Sequence, residues 1–218
     1  ILNQAKLSLE TKRSQFAEYQ DSEETTHVFI QNYQPPVKLI IVGAGNDAQI
    51  LAQQAELLGW KVIVTDGRPT HANEQRFSSS CQVIVSKPAQ TLENIKIDER
   101  SCFVLMSHNY NYDLAVLKLL LKGNSIPYIG ILGPLKKYER MQTDLGNEGF
   151  DLSGKKYDQI YAPVGLEIGA ETPAEIGLSI LAEIQSVLTG TSAENLRKKS
   201  EPIHEKNGNR FKKVVTSS

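Results

Sequence analysis

The run Val37-Lys-Leu-Ile-Ile-Val42, leading straight into Gly43-Ala-Gly45-Asn-Asp-Ala48, constrains this chain more than any other feature. A nearly continuous apolar stretch of strand length is the pattern of a parallel strand covered on both faces. In the loop that follows, Gly43 permits a tight turn, Gly45 lets backbone approach a phosphate, and Ala48 keeps the next helix close to the sheet. The free amides opening that helix then face an anion. Asn46 to Leu58 carries Ile50, Leu51, Ala55, Leu57 and Leu58 at helical spacing, with Gly59 as its C-cap. Lys61-Val-Ile-Val-Thr65 is a second buried strand with Asp66 at its end, which completes a βαβ unit.

Further apolar runs at Gln82–Ser86, Cys102–Ser107 and Pro127–Leu132 predict three more strands, with helices over Asn111–Lys122 and Lys136–Asp144. Five strands alternating with helices imply an α/β fold, a doubly wound parallel sheet that is Rossmann-like and of order 3-2-1-4-5. Thr172-Pro-Ala-Glu175 announces a last helix, through a capping Thr, a proline in the first turn and a carboxylate at the positive end of the dipole; it runs to about Leu188 and stops at Gly190. The Rossmann-like domain is therefore placed at residues 35–190.

Residues 1–34, rich in Gln, Glu, Ser and Thr and closed by Pro35-Pro36, read as a linker or as the trailing part of a preceding domain. Residues 191–218 carry Arg197, Lys198, Lys199, Lys206, Arg210, Lys212 and Lys213 and read as a basic, partly disordered tail. The chain begins at Ile1, which suggests that an upstream part belongs with it. No internal repeat is evident.

With 218 residues, 40% of them hydrophobic, the chain can bury a core without staples. A net charge of −1 provides no basic face for nucleic acid, and no apolar run is long enough to cross a bilayer. Cys81 and Cys102 adjoin apolar runs and are expected to be reduced core residues in a cytoplasmic protein, not a disulfide or a metal pair. No metal site is expected.

The residues that could hold a phosphate-bearing ligand are Gly43, Gly45, Asn46, Asp47 and Ala48 of the first loop. Asp66 is placed to accept from a ribose diol, and Arg68 to attract a 2′-phosphate. Met106-Ser-His108-Asn-Tyr-Asn-Tyr-Asp113 closes the fourth strand, where open α/β sheets form their ligand crevice. His108 and Asp113 are the candidate catalytic residues, with Asp113 either capping a helix or orienting the imidazole. Gly130 and Gly133 close the fifth strand and allow backbone to approach a bulky group. Lys136, Lys137 and Arg140 read as a solvated helix face, and Glu171 and Glu175 as carboxylates serving the helix dipole.

At these clusters the sequence resembles the C-terminal Rossmann domain of the XdhC/CoxI family, accessory proteins of xanthine dehydrogenase and related molybdenum hydroxylases. The resemblance rests on the prolines and GAGNDA at 35–48, VTDGRP at 64–69, MSHNYNYD at 106–113, YIGILGP at 128–134, PVGLEIGAETPAEIGLSILAEI at 163–184 and the Pro202-Ile-His204 ending. It implies a non-catalytic maturation factor that binds the molybdenum cofactor (molybdopterin), aids its sulfuration and inserts it into a hydroxylase apoenzyme, with a cysteine desulfurase as a further partner. Asn46 stands where many members carry His, and the family's N-terminal domain is not in this sequence. Two other functions fit the residues: an NAD(P)-binding oxidoreductase with His108 as proton donor, and a nucleotide-sensing regulatory module. Pairing into a homodimer is expected by analogy with such folds.

Overall fold

Leu39, Ile40, Ile41 and Val42 are all fully buried, as a strand covered on both faces requires. The computed structural model describes residues 2–20, 24–123, 126–150 and 157–200, and the backbone of 212–215. The chain divides into two units, Pro36–Ala193 and a smaller one made of Ile1–Pro35 with Glu194–Ser218. In chain order the smaller unit begins with α1 (Leu2–Thr11), β1 (Gln15–Gln20) and β2 (Thr25–Ile30). The larger unit holds β3 (Lys38–Val42), α2 (Asn46–Leu57), β4 (Lys61–Asp66), β5 (Gln82–Val85), β6 (Ser101–Leu105) and α3 (Tyr110–Lys122). It continues with β7 (Tyr128–Ile131), α4 (Leu135–Asn147), β8 (Ile160–Tyr161) and α5 (Pro173–Thr189); β9 (Lys212–Val215) returns to the smaller unit.

The larger sheet is wholly parallel in the order β5-β4-β3-β6-β7-β8. Its first five strands reproduce the expected order 3-2-1-4-5. The sixth was not anticipated: β8 is two residues long and offers no periodicity to read, yet Ile160 and Tyr161 pair with Ile129 and Gly130. The Tyr161 ring stacks on Tyr128, with ring centroids 4.6 Å apart.

Side chains alternate between two cores, because successive strand residues point to opposite faces. Leu39, Ile41, Val62, Val64 and Val104 pack with Leu51 and Ala55 of α2 and Ile180 and Ile184 of α5. Ile40, Val42, Ile63, Phe103 and Leu105 pack with Leu117 and Leu120 of α3 and Met141 and Leu145 of α4. Each such large side chain contributes about 1.5–3 kcal/mol on burial. Cys81 and Cys102 are free and buried, and burial pushes both thiol pKa values up to about 12.

The α5 helix begins with a full capping box, in which Glu175 accepts from the Thr172 amide at 2.8 Å and Thr172 Oγ1 accepts from the Glu175 amide at 3.3 Å. These hydrogen bonds hold the Glu175 carboxyl below its ordinary pKa, and Gly190 ends the helix in the left-handed conformation. Gln54 of α2 donates to the Ala174 carbonyl at 2.9 Å, which sets the first turn of α5 beside α2 near the carboxyl edge of the sheet.

In the smaller unit β1 and β2 form an antiparallel hairpin and β9 lies parallel to β1. Phe16 and Phe29 face each other across the hairpin, centroids 4.6 Å apart. This hairpin lies in the stretch expected to be a linker or the trailing part of a preceding domain, because its polar residues mask the alternation. Much of the expected basic tail, with Pro202-Ile-His204, falls outside the described residues.

Candidate functional site

The loop Gly43–Asn46 is held from both sides by residues distant in sequence. Gly43 adopts φ +119 and lies so close to β6 that a Cβ there would sit 2.5 Å from the Met106 carbonyl oxygen and the Ser107 Cα. The Ala44 amide donates to Asp66 Oδ2 at 2.8 Å, and the Ala44 carbonyl accepts from Arg76 at 2.9 Å. Arg76 also donates to Asn46 Oδ1 at 2.8 Å and to the His71 carbonyl at 3.2 Å. Arg76 was missed in the sequence because it lies in an irregular stretch with no motif around it.

Asp66 is buried, and each of its oxygens already accepts two hydrogen bonds. Oδ1 takes the Arg68 amide and Nε, at 2.9 and 3.0 Å; Oδ2 takes the Ala44 amide and an Arg68 guanidinium nitrogen, at 2.8 and 2.7 Å. A carboxylate has about four lone-pair positions, so a ribose diol would have to displace one of these partners. Burial works to raise the Asp66 pKa, but the hydrogen bonds from Arg68 and Ala44 outweigh it and leave the carboxyl below its ordinary 3.8. Stability from a depressed carboxyl is complete above the unfolded pKa and fades as pH falls through the lower folded value. Asp66→Asn is therefore expected to be less stable than wild type at pH 7, with the gap narrowing below about pH 4. Urea unfolding followed by fluorescence of Trp60, the sole tryptophan, reads the difference; a gap independent of pH would refute it.

His108 stands at the end of β6 with φ +56 and its ring largely exposed, and its Nε2 lies 2.9 Å from Asp47 Oδ2. The carboxylate that orients the imidazole is thus that of Asp47. Asp113 instead accepts from Ser107 Oγ at 2.6 Å and the Ser107 amide at 3.2 Å, and pairs with Lys137 Nζ at 2.7 Å. Nor does Asp113 cap α3, since Asn109 does so by accepting from the Tyr112 amide. Lys137 was read as part of a solvated face; its ammonium is mostly buried and donates also to the Leu132 carbonyl at 2.8 Å. Asp113 and Lys137 therefore lock the loops after β6 and β7 together.

Gly130 lies inside β7, where a Cβ would fall 2.5 Å from Val164 Cγ2 and 3.0 Å from the Tyr128 ring. Its smallness serves packing below the crevice and not the approach of a ligand. Tyr128 donates to Glu183 Oε2 at 2.5 Å, and the same oxygen accepts from the Gly165 amide at 2.9 Å. Burial and the Glu183 charge push the Tyr128 hydroxyl pKa far up, so it stays a donor and fixes the loop after β8.

These elements frame two clefts at the carboxyl edge of the sheet. One, of about 410 Å³, is lined by Gly45, Asn46, Asp47, Arg68, His71 and His108, with Pro173 at its rim. Gly45 caps α2 without any side-chain hydrogen bond; Asp47 Oδ1 accepts from the Ala48 amide at 2.9 Å, and the rest of the first turn lies beside a guanidinium and two imidazoles. Ala48 is fully buried beneath and packs α2 on the sheet. The other cleft, of about 430 Å³, is walled by Leu132, Gly133, Val164, Leu166, Ile168 and Ile176. Among the described residues no group of three or more His, Cys, Asp or Glu side chains could hold a metal ion, and no helix is long and apolar enough to cross a membrane.

Residues 39–184 match the family described as the XdhC Rossmann domain. The chain is 37% identical over 163 residues to a probable xanthine dehydrogenase subunit from Bacillus subtilis, covering 74% of this chain and 46% of that protein. It is 28% identical over 159 residues to the molybdenum cofactor insertion chaperone PaoD of Escherichia coli, covering 73% and 42%. A crystal structure described as a xanthine dehydrogenase from Bacillus halodurans superposes with a TM-score of 0.64 at 30% identity, over 80% of this chain and 49% of that one. The chain thus spans about half the length of these relatives or less. With two thirds of its residues inside the family match and the parallel sheet in place, this chain belongs to the XdhC family through its Rossmann domain.

Proposed function

We propose that this chain is the cofactor-holding Rossmann part of an accessory factor for a molybdenum hydroxylase, which binds the molybdenum cofactor by its phosphate and hands it to the apoenzyme. The observation that carries this reading is the N-terminus of α2, where the N-cap Gly45 brings no side-chain acceptor and Asp47 Oδ1 takes only the Ala48 amide at 2.9 Å, facing a cleft lined by Arg68, His71 and His108. Helix amides and a guanidinium together favour an anion. The donor set fits a phosphate ester, with Asp47 as the opposing charge; its Oδ2 is held by His108 Nε2 at 2.9 Å. The relatives named for xanthine dehydrogenase and for cofactor insertion support the same reading.

Bound cofactor supplies the molybdenum chemistry of the client enzyme. The residues of this chain bind and orient it. Gly45 and Asn46 present the loop backbone, held in shape by Arg76 and Asp66, while Arg68, His71 and His108 face the anion. On this reading residues 1–34 are the trailing edge of a preceding domain, and sulfuration draws on a cysteine desulfurase acting with the complex.

The test is retention of molybdenum through gel filtration after incubation with cofactor released from a carrier, followed by activation of a hydroxylase apoenzyme. Wild type is expected to retain the metal, and Gly45→Asp, which sets a carboxylate in the phosphate path, to bind at least about tenfold more weakly, a loss of ~1.4 kcal/mol. Equal retention by the two proteins would refute the assignment. NAD and NADP serve as comparators: an oxidoreductase or nucleotide sensor predicts stabilisation by these in thermal unfolding. The fully engaged Asp66 carboxylate disfavours that outcome.

A further inference from the structure

The two clefts lie on either side of the end of β6. The polar one opens at the ends of β3 and β4, around Gly45 and Arg68, and the apolar one after β7 and β8, around Leu132 and Val164. β3 and β7 are separated only by β6, two strand spacings or about 10 Å. Both clefts share α5 as a wall, through Pro173 in the first and Ile176 in the second, one turn apart. Between them stands His108, whose ring leans to Asp47.

The apolar cleft has a volume suited to a small ligand, about 430 Å³. Leu132, Val164, Leu166, Ile168 and Ile176 give it greasy walls, which favour a flat ring. Ser179 Oγ is already committed to the Leu166 carbonyl at 2.6 Å. Among the described residues, Glu167 is the one charged residue lining the cleft.

Resting on the function proposed above, we infer that the apolar cleft takes the ring end of the same ligand whose phosphate meets α2, and that Glu167 selects a 2-amino-4-oxopyrimidine edge. A carboxylate offers two parallel acceptors and no donor. The ring N3–H and the 2-amino group of a pterin present two parallel donors, which such a carboxylate meets in bidentate fashion. The edge of adenine or cytosine places an acceptor beside its amino group, and nicotinamide offers one carboxamide, so neither satisfies both oxygens. The separation of about 10 Å between the strands that bear the clefts suits a phosphate joined to a bicyclic ring by a short linker. An extended dinucleotide would overrun it.

The experiment uses the whole chain and two fluorescent probes, neopterin and neopterin monophosphate, with adenosine monophosphate and inorganic phosphate as competitors. The phosphomonoester is expected to bind more tightly than neopterin or inorganic phosphate alone, because joining the two ends makes the second contact intramolecular. Glu167→Gln places a donor against a donor. It is expected to weaken the pterin phosphate by about tenfold while leaving competition by inorganic phosphate unchanged, and Glu167→Asp restores part of the loss. Ile176→Glu is expected to act like Glu167→Gln. Glu167 is exposed, so Glu167→Gln should leave the thermal transition unchanged. Wild-type affinity in both Glu167→Gln and Ile176→Glu, with binding lost in Gly45→Asp, would overturn the ring assignment and leave the phosphate site standing. Failure of wild type to bind either the pterin phosphate or the released cofactor would remove both.

Discussion

Asp113→Leu is expected to lower the unfolding free energy of the Pro36–Ala193 unit by about 3–5 kcal/mol, the usual result of leaving one member of a buried ion pair without its partner. Asp113 is fully buried and meets Lys137 Nζ at 2.7 Å and Ser107 Oγ at 2.6 Å. Its loss leaves the Ser107 amide without its acceptor and the Lys137 ammonium without its counter-charge, with the Leu132 carbonyl as its remaining partner. Because the Lys137 side chain retains 17% exposure, water can reach part of the ammonium, which favours the lower end of the range. Lys137→Met alone should be costly too, since it leaves the carboxylate buried. The double variant should recover much of the loss, because an apolar pair of similar volume replaces a charge pair at little net cost. Urea titration followed by Trp60 fluorescence measures all three, and single variants within about 0.5 kcal/mol of wild type would show that this pair holds nothing together.

Gly43→Ala is the second large effect. At φ +119 a side chain is strained whatever the space, and here the added carbon would lie 2.5 Å from two backbone atoms of the loop after β6. Backbone cannot rotate out of the way as a side-chain tip can. The Met106 amide donates to the Val42 carbonyl at 2.8 Å, so moving that loop breaks the ladder at the centre of the sheet. A cost above about 4 kcal/mol, with loss of the cooperative transition, is expected. Gly45→Ala is the control: Gly45 has an ordinary φ of −68 and the added carbon meets Asp47 Oδ1, the mobile end of a side chain. That variant should fold and lose the contact between Asp47 and His108. A Gly43→Ala protein that melts like wild type would contradict the close approach of the two strand ends.

The parts of the fold written in periodic patterns were legible in the sequence. Apolar runs gave the five long strands and their order, and Thr172, Pro173, Glu175 and Gly190 marked both ends of α5, because caps follow local chemistry. The two-residue β8 depends on a partner about thirty residues away, and the hairpin of β1 and β2, though local, is too polar to show its alternation. The candidate site divides in the same way. Gly45, Asp47, Arg68 and His108 do meet in one cleft, because the fold brings strand ends together. Which carboxylate serves which basic side chain was not legible. Asp113 lies five residues from His108 yet serves Lys137, while the imidazole takes Asp47, 61 residues away. Pairing of this kind is decided by where neighbouring loops cross.

The two cysteines bear on how sulfur could move. A thiol accepts and passes on a sulfur atom only as its thiolate, and Cys81 and Cys102 are held protonated in the interior with pKa values near 12. They are the only thiols in these 218 residues. Burial thus holds both thiols back from carrying a persulfide. On the function proposed above, any sulfur atom delivered to a ligand held by these residues is carried there by a cysteine outside them, which has to reach the carboxyl edge of the sheet.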